Sequence, residues 1–388
     1  MGKESWNMKD VSEGSARIPE KRKDRRLMAL DGVRGLAVAG MYIQHFALNE
    51  RNGGLVSGNT MILFMLCSGI SYALMEQGAR RKGMAPETLR TRILARSLLI
   101  DLAGYVLILL NGPFGVVLPA YAMLFLLAMP LHGRSGRQLL AASGLLFLLS
   151  PPLMMMGLSL LSGAALLEDM AGGPLSALAW APVFVLGMAI GQMDLRDRRL
   201  PARLAAAGTA ILIPITWFSR SVLPGLREQV ENWMVQAMAA GVPEPDLYAV
   251  WPRNTQPIMW NMLFVDAPQG GSLFELLSGT GLSLILLGAF LWLDRGKAAG
   301  LLKPFAAAGK AALSLYMAQF LLAWALILLG LEETLSILGG IPFGDLLAAG
   351  AVLAAGWLLG NGKGGPMERL LRRFEGWFLE SGNLERQA

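Results

Sequence analysis

Long apolar runs alternate with short polar connections along most of the chain. Such runs of about 20 residues predict helices that cross the hydrocarbon core of a bilayer. The runs cover residues 28–48, 58–77, 92–111, 114–131, 138–160, 175–193, 204–221, 273–294, 307–330 and 345–361. We therefore predict an all-α, polytopic integral membrane protein with ten transmembrane helices.

The distribution of Lys and Arg indicates the orientation of these helices. Basic residues cluster in the first tail, in the loops after the second, fourth, sixth and eighth helices, and in the last tail. Cytoplasmic loops of membrane proteins carry this excess. We expect both termini to be cytoplasmic, with a basic tail at 1–27, one membrane domain at 28–361 and a second tail at 362–388.

Two segments outside the apolar runs have a pattern of their own. Residues 368–380 place large apolar side chains on one helical face, which is typical of a helix lying on the inner membrane surface. The loop at about 222–272 is long and aromatic and contains Trp251 and Asn254. Its aromatic residues fit either an interfacial belt or a lid over an acceptor site.

Composition narrows the class of protein. The chain of 388 residues is 54% hydrophobic and 16% charged, whereas soluble domains carry about 25% charged residues. The net charge of +6 comes with basic residues in short loops, so we expect a lipid bilayer and not a nucleic acid as the partner. The single Cys67 excludes an intramolecular disulfide, and a packed core thiol is favoured over an acyl thioester.

The first helix carries polar residues on one face. Taken at 100° per residue, the side chains of Asp31, Arg34, Tyr42, His45 and Asn49 fall on a stripe about 80° wide. Asp31 and Arg34 can pair across one turn, and His45 lies about 16 Å further along the helix. Ionisable groups within membranes are usually functional, although a clamp and a hydrogen bond to a neighbouring helix are simpler interpretations.

The histidine and arginine on this face could support the transfer of an acyl group. An imidazole takes a proton from an alcohol or amine, or attacks an acyl group itself, and an arginine binds phosphate. The layout predicts a phosphate-rich acyl donor inside and a hydroxyl or amine acceptor outside. The other histidine, His132, is expected to be a plain surface residue, and no metal-binding motif is present. One alternative is a proton-coupled transporter or exporter, although the sequence shows neither repeated halves nor paired broken helices. A second alternative is a non-catalytic membrane scaffold.

The segment "LDGVRGLAVAGMYIQHF" (30–46) resembles the first-helix signature of transmembrane acyltransferases. This superfamily includes the acyltransferase-3 family of bacterial glycan O-acetylases and the heparan-alpha-glucosaminide N-acetyltransferase-like group. Residues 59–74, 92–107 and 304–322 are similar to later helices of the second group. That group has Asn at the position of His45, so the chain combines features of both branches.

The resemblance implies a multi-pass enzyme of the cell membrane, in bacteria the inner membrane, that uses acyl-CoA from the cytosol. Acetyl-CoA is the expected donor, and no metal is implied. His45 would be the catalytic base, Asp31 would orient Arg34, and the CoA phosphates would bind Arg34, Arg92 and Arg96. Acceptor contacts are assigned by position in the chain to Asn49, Asn59, Trp251 and Asn254. The acceptor (glycan, lipid or small molecule) and homo-oligomer formation stay open.

Overall fold

The computed structural model describes residues 28–161, 164–239, 258–360 and 364–384. Within these ranges the regular elements are all helices, which confirms the all-α prediction. Every predicted apolar run overlaps at least one helix. The α-helices are α1 (Met28–Phe46), α2 (Gly53–Val56), α3 (Asn59–Arg81), α4 (Pro86–Leu109), α5 (Leu118–Leu127), α6 (Gly136–Leu160), α7 (Ala165–Ala171), α8 (Ala177–Gly191), α9 (Leu200–Ser221), α10 (Leu223–Ala239), α11 (Leu273–Leu293), α12 (Lys303–Lys310), α13 (Ala312–Leu328), α14 (Ile337–Gly340), α15 (Gly344–Gly360) and α16 (Pro366–Leu384).

Several helices are long and apolar enough to span a membrane, as expected of a membrane protein. Among the described residues four qualify alone, within Gly53–Arg81, Gly136–Leu160, Leu200–Ser221 and Leu273–Leu293. Up to six qualify when each of two bent helix pairs is taken as one span. Within the described ranges the predicted count of ten full-length spans is therefore not confirmed. One reason is that α5 has 10 residues and α8 has 15, so at about 1.5 Å per residue they fall short of a ~30 Å core.

The ninth predicted helix is broken. α12 and α13 meet at an angle of 66°, and Ala311 between them leaves the helical conformation with φ −112° and ψ 22°. The sequence predicted one continuous helix here, because Ala is the best helix former and gives no sign of a break. The break leaves backbone N–H groups at the start of α13 without partners inside that helix.

The C-terminal helix supplies those partners. Oε1 of Glu368 on α16 accepts hydrogen bonds from the backbone nitrogens of Leu313 and Ser314, at 2.7 and 3.2 Å. Its Oε2 accepts from the Ser314 hydroxyl at 2.6 Å. α16 includes the predicted amphipathic segment 368–380, and this carboxylate ties it to the broken span.

α12 is held against α1 by backbone contact. A Cβ atom on Gly35 would lie 1.9 Å from the carbonyl oxygen of Phe305, and one on Gly309 would lie 1.8 Å from that of Asp31. On its other side α12 meets Gly356 and Gly360 of α15. Small residues allow helices in lipid to approach this closely. The part of α1 that carries Asp31 thus packs directly against the end of α12, next to the break at Ala311.

The predicted long loop contains a second amphipathic helix, α10. Its Glu231 accepts a hydrogen bond from Nδ2 of Asn261 at 3.0 Å and one from Nε of Arg227 at 2.7 Å. These two donors hold the pKa of Glu231 below its usual value. The contact connects α10 to the chain that leads into α11.

Candidate functional site

Asp31 and Arg34 form the ion pair that their spacing allows. Nη1 of Arg34 lies 3.1 Å from Oδ1 of Asp31, and Asp31 is 3% exposed. The Arg34 Nη2 group also donates to the hydroxyl of Ser71 on α3. The guanidinium is therefore held between two helices with its orientation fixed.

His45 lies at the other end of α1 among aromatic rings. Its imidazole stacks on Phe114 with the ring centres 3.9 Å apart and the planes 7° apart. Phe320 of α13 presents its edge at 6.2 Å. Phe114 was predicted to be helical, but it lies in the loop between α4 and α5, and this irregular backbone brings its ring onto the imidazole.

Gln319 is the polar neighbour of His45. It is 0% exposed on α13 and interacts with the imidazole. Within the described ranges, neither its amide atoms nor Nδ1 of His45 makes a hydrogen bond of normal geometry. Buried amides are normally paired because an unpaired one is costly. The Gln319 amide and Nδ1 of His45 therefore keep hydrogen-bonding capacity that the described residues do not use.

Two tyrosines fix the surroundings of this imidazole. The hydroxyl of Tyr42 donates to the carbonyl of Leu315 at 2.9 Å, which joins α1 to α13. The hydroxyl of Tyr316 accepts from the backbone nitrogen of Val117 at 3.1 Å, which joins α13 to the loop of Phe114. Sequence reasoning missed Phe114 and Gln319. A glutamine within the apolar run "LYMAQFLL" was the available signal for the second.

Arg92 and Arg96 both form an ion pair with the carboxylate of Glu375, which is part of the protein itself. Their Nε atoms lie 2.9 and 3.1 Å from the two carboxylate oxygens of Glu375 on α16. Glu375 is 3% exposed, while the arginine side chains are 33% and 30% exposed. The two guanidinium groups converge on this carboxylate, with their Nη atoms outside these two contacts.

Arg34 and Arg96 approach the same face of α3. Arg34 donates to Ser71, and Nη1 of Arg96 lies 3.9 Å from Sδ of Met75. Ser71 and Met75 are four residues apart, so they stack one turn apart on one helical face. Two of the three basic groups assigned to CoA, Arg34 and Arg96, thus lie along α3.

Of the four residues assigned to the acceptor, the structure describes Asn49 and Asn59. Asn49 forms a turn after α1, where its Oδ1 accepts from the backbone nitrogens of Arg51 and Asn52 at 3.0 and 3.1 Å. Asn59 lines a separate cavity beside α9 and α11. Trp251 and Asn254 lie outside the described residues.

His132 is not a plain surface residue. Its Nε2 lies 2.7 Å from the hydroxyl of Tyr72, and the two rings are stacked. Burial lowers the pKa of His132, while the nearby Glu76 opposes this shift. The Glu76 carboxylate accepts from Arg80 at 2.6 Å and from the backbone of Gly133 at 2.9 Å. Cys67, in contrast, is fully buried as a core thiol, as expected.

We expect Glu375→Gln to loosen the C-terminal helix. Removing one partner of a buried ion pair costs about 3–5 kcal/mol, and the partial exposure of both arginines reduces this to about 1–2 kcal/mol here. Thermal unfolding in detergent and limited proteolysis of α16 measure the effect. Glu228→Gln, at an exposed position of α10, is the matched control. Equal stability of the two variants would show that α16 does not depend on this pair.

Comparison with known proteins gives a family without an assigned activity. Residues 226–377 match the family model described as "Protein of unknown function (DUF418)". The match covers less than half of the chain and includes Gln319 and Glu375, but not α1. No curated protein matches the chain. The chain is thus similar to this family from α10 to α16. The family suggests no activity, so any function must be argued from the residues of this chain.

Proposed function

We propose that the protein is a membrane-embedded acyltransferase. It would move an acyl group, foremost acetyl, from cytoplasmic acyl-CoA to a hydroxyl or amine of a glycan, lipid or small-molecule acceptor at or across the cell membrane. The observation that carries this proposal is the layout of α1. One end holds a fixed guanidinium, and the other holds an imidazole stacked on Phe114 beside a buried amide.

The basic groups would bind the donor. In the proposed arrangement of ten spans with both termini cytoplasmic, Arg34, Arg92 and Arg96 lie towards the cytoplasm. Arg92 and Arg96 contact Glu375 through Nε, and Nη1 of Arg96 contacts Met75, so the Nη groups of Arg92 and Nη2 of Arg96 would face phosphate oxygens. A planar guanidinium suits such oxygens.

The imidazole would do the acid–base work. His45 would accept the proton of the acceptor hydroxyl or amine as its oxygen or nitrogen attacks the thioester carbonyl. The C–S bond then breaks, and the CoA thiolate takes the proton from the imidazolium. The stacked Phe114 limits water at the imidazole, which favours transfer over hydrolysis. Gln319 is placed to hold the ring in one orientation.

A proton-coupled carrier is the second candidate, and one observation favours it. Broken helices at membrane depth often form substrate and ion sites in transporters, and the span of α12 and α13 is bent by 66°. An intramembrane imidazole near such a break suits proton coupling.

Binding of CoA to the purified protein separates these two functions. We expect acetyl-CoA to bind in calorimetry, and both Arg34→Gln and Arg96→Gln to weaken binding by about tenfold or more, since a charged hydrogen bond contributes about 1.5–3 kcal/mol. Arg203→Gln is the control, because Arg203 is exposed and pairs with Asp197 at 3.5 Å. Absence of CoA binding would remove the donor and leave the carrier, and equal affinity in all variants would show that Arg34 and Arg96 do not bind its phosphates.

A further inference from the structure

A polar cavity lies away from the candidate site. It has a volume of about 390 Å³ and is formed by α2, the start of α3, the end of α9 and the start of α11 with the loop before it. None of Asp31, Arg34 and His45 lines it. Its polar lining includes Asn59, Thr216, Ser219, Arg220, Asp266 and Ser278.

Opposite charges face this cavity without pairing with each other. Arg220 is exposed and, within the described part of the chain, makes no ion pair or hydrogen bond. Asp266 is also exposed, and its Oδ1 accepts only a long hydrogen bond from the Ser278 hydroxyl, at 3.4 Å. A cation and an anion that share a cavity but remain apart can each bind a separate charge of one ligand.

The lining also contains a buried carboxylate and a buried hydroxyl. Glu275 is buried, and its carboxylate is pinned by the backbone nitrogens of Gly271, at 2.7 Å, and Gln269. Oγ of Ser219 is buried and has no hydrogen-bond partner among the described residues. A buried hydroxyl without a partner is costly, and a ligand that donates or accepts here would remove that cost.

We propose that this cavity binds a small zwitterion, namely a free α-amino acid or a solute with the same ammonium and carboxylate groups. The guanidinium of Arg220 would bind the carboxylate through its planar fork, and Asp266 would bind the ammonium. Ser219 would complete the polar contacts, and the volume lies within the range of small-molecule sites, about 300–1,000 Å³. A neutral sugar has no need of two separated opposite charges. The inference does not depend on acyl transfer.

The test uses the purified full-length protein in detergent without CoA. Each of the twenty standard L-amino acids is added at about 10 mM, and thermal unfolding is recorded, because a ligand that binds the folded state raises the unfolding temperature. We expect at least one amino acid to stabilise the protein and to give a binding isotherm in calorimetry. Its α-amide and its N-acetyl derivative, which each lack one charge, should bind at least tenfold more weakly.

Matched variants locate the site. Arg220→Gln and Asp266→Asn, both at exposed positions, should each reduce affinity at least tenfold without loss of the fold. Arg227→Gln on α10 and His45→Gln should leave affinity unchanged. The proposal is overturned if no amino acid stabilises the protein, if glucose stabilises it equally, or if both cavity variants bind as the wild type does.

Discussion

Replacing His45 with glutamine is expected to abolish acyl transfer while CoA binding and the fold persist. General base catalysis contributes about 10²–10⁴-fold to rate, so transfer should fall by at least two orders of magnitude. Glutamine keeps a planar, polar side chain against Phe114, but it cannot take up a proton near neutral pH. The Asp31–Arg34 pair lies at the other end of α1, and the change does not touch it.

The measurement is transfer across sealed, inverted vesicles. Labelled acetyl-CoA is supplied on the cytoplasmic face, and label is counted in lipid and in lumenal products other than CoA. His132→Gln is the matched control, since it removes the other histidine, whose ring contacts Tyr72 and not the candidate site. If His45→Gln transfers label as fast as the wild type, the imidazole is not the base.

Gly309→Ala is expected to cause a large loss of stability at the contact between α1 and α12. The added Cβ would lie 1.8 Å from the carbonyl oxygen of Asp31, and the nearest atoms are backbone that cannot rotate away. Overpacking normally costs about 1–3 kcal/mol, and a contact this short places the effect at the upper end or beyond. α1 and α12 must separate to relieve it, so CoA binding should weaken as well.

Gly78→Ala on α3 isolates the steric effect. A Cβ at Gly78 would meet no atom within 4 Å, so this change should stabilise the helix by about 0.5–1 kcal/mol through propensity alone. Thermal unfolding of the two variants in the same detergent gives the comparison. Similar unfolding temperatures would mean that α1 and α12 do not pack through these glycines.

The sequence was sufficient to find the helices, because length and apolarity alone determine where the backbone must satisfy its own hydrogen bonds in lipid. The same rule could not locate the break at Ala311. Alanine and glycine on both sides fit a continuous helix equally well, and the bend depends on contacts with α1, α15 and α16. The length of the fourth predicted helix, 114–131, was also overestimated. Residues 114–117 are apolar but form a loop, and apolarity alone does not distinguish the two.

The candidate site was predictable only where the spacing of two residues along one helix determines their distance. Asp31 and Arg34 meet because they are three residues apart on one helix. Glu375 is 283 residues from Arg92, so no local pattern could name it as the partner of the two arginines. The ring of Phe114 and the amide of Gln319 reach His45 through the tertiary fold, and only the glutamine, a polar residue within an apolar run, gave a sequence signal.

The cap that Glu368 places on α13 has a consequence for biosynthesis. The ribosome makes the chain from its N-terminus, so α12 and α13 emerge before the helix that satisfies their exposed amides. Until α16 has been synthesised and docked, the start of α13 has no carboxylate to accept from its N–H groups. The bent span can therefore reach its final form only after Glu368 has left the ribosome and α16 has docked, and a nascent chain that stalls before α16 would carry an unfinished bend.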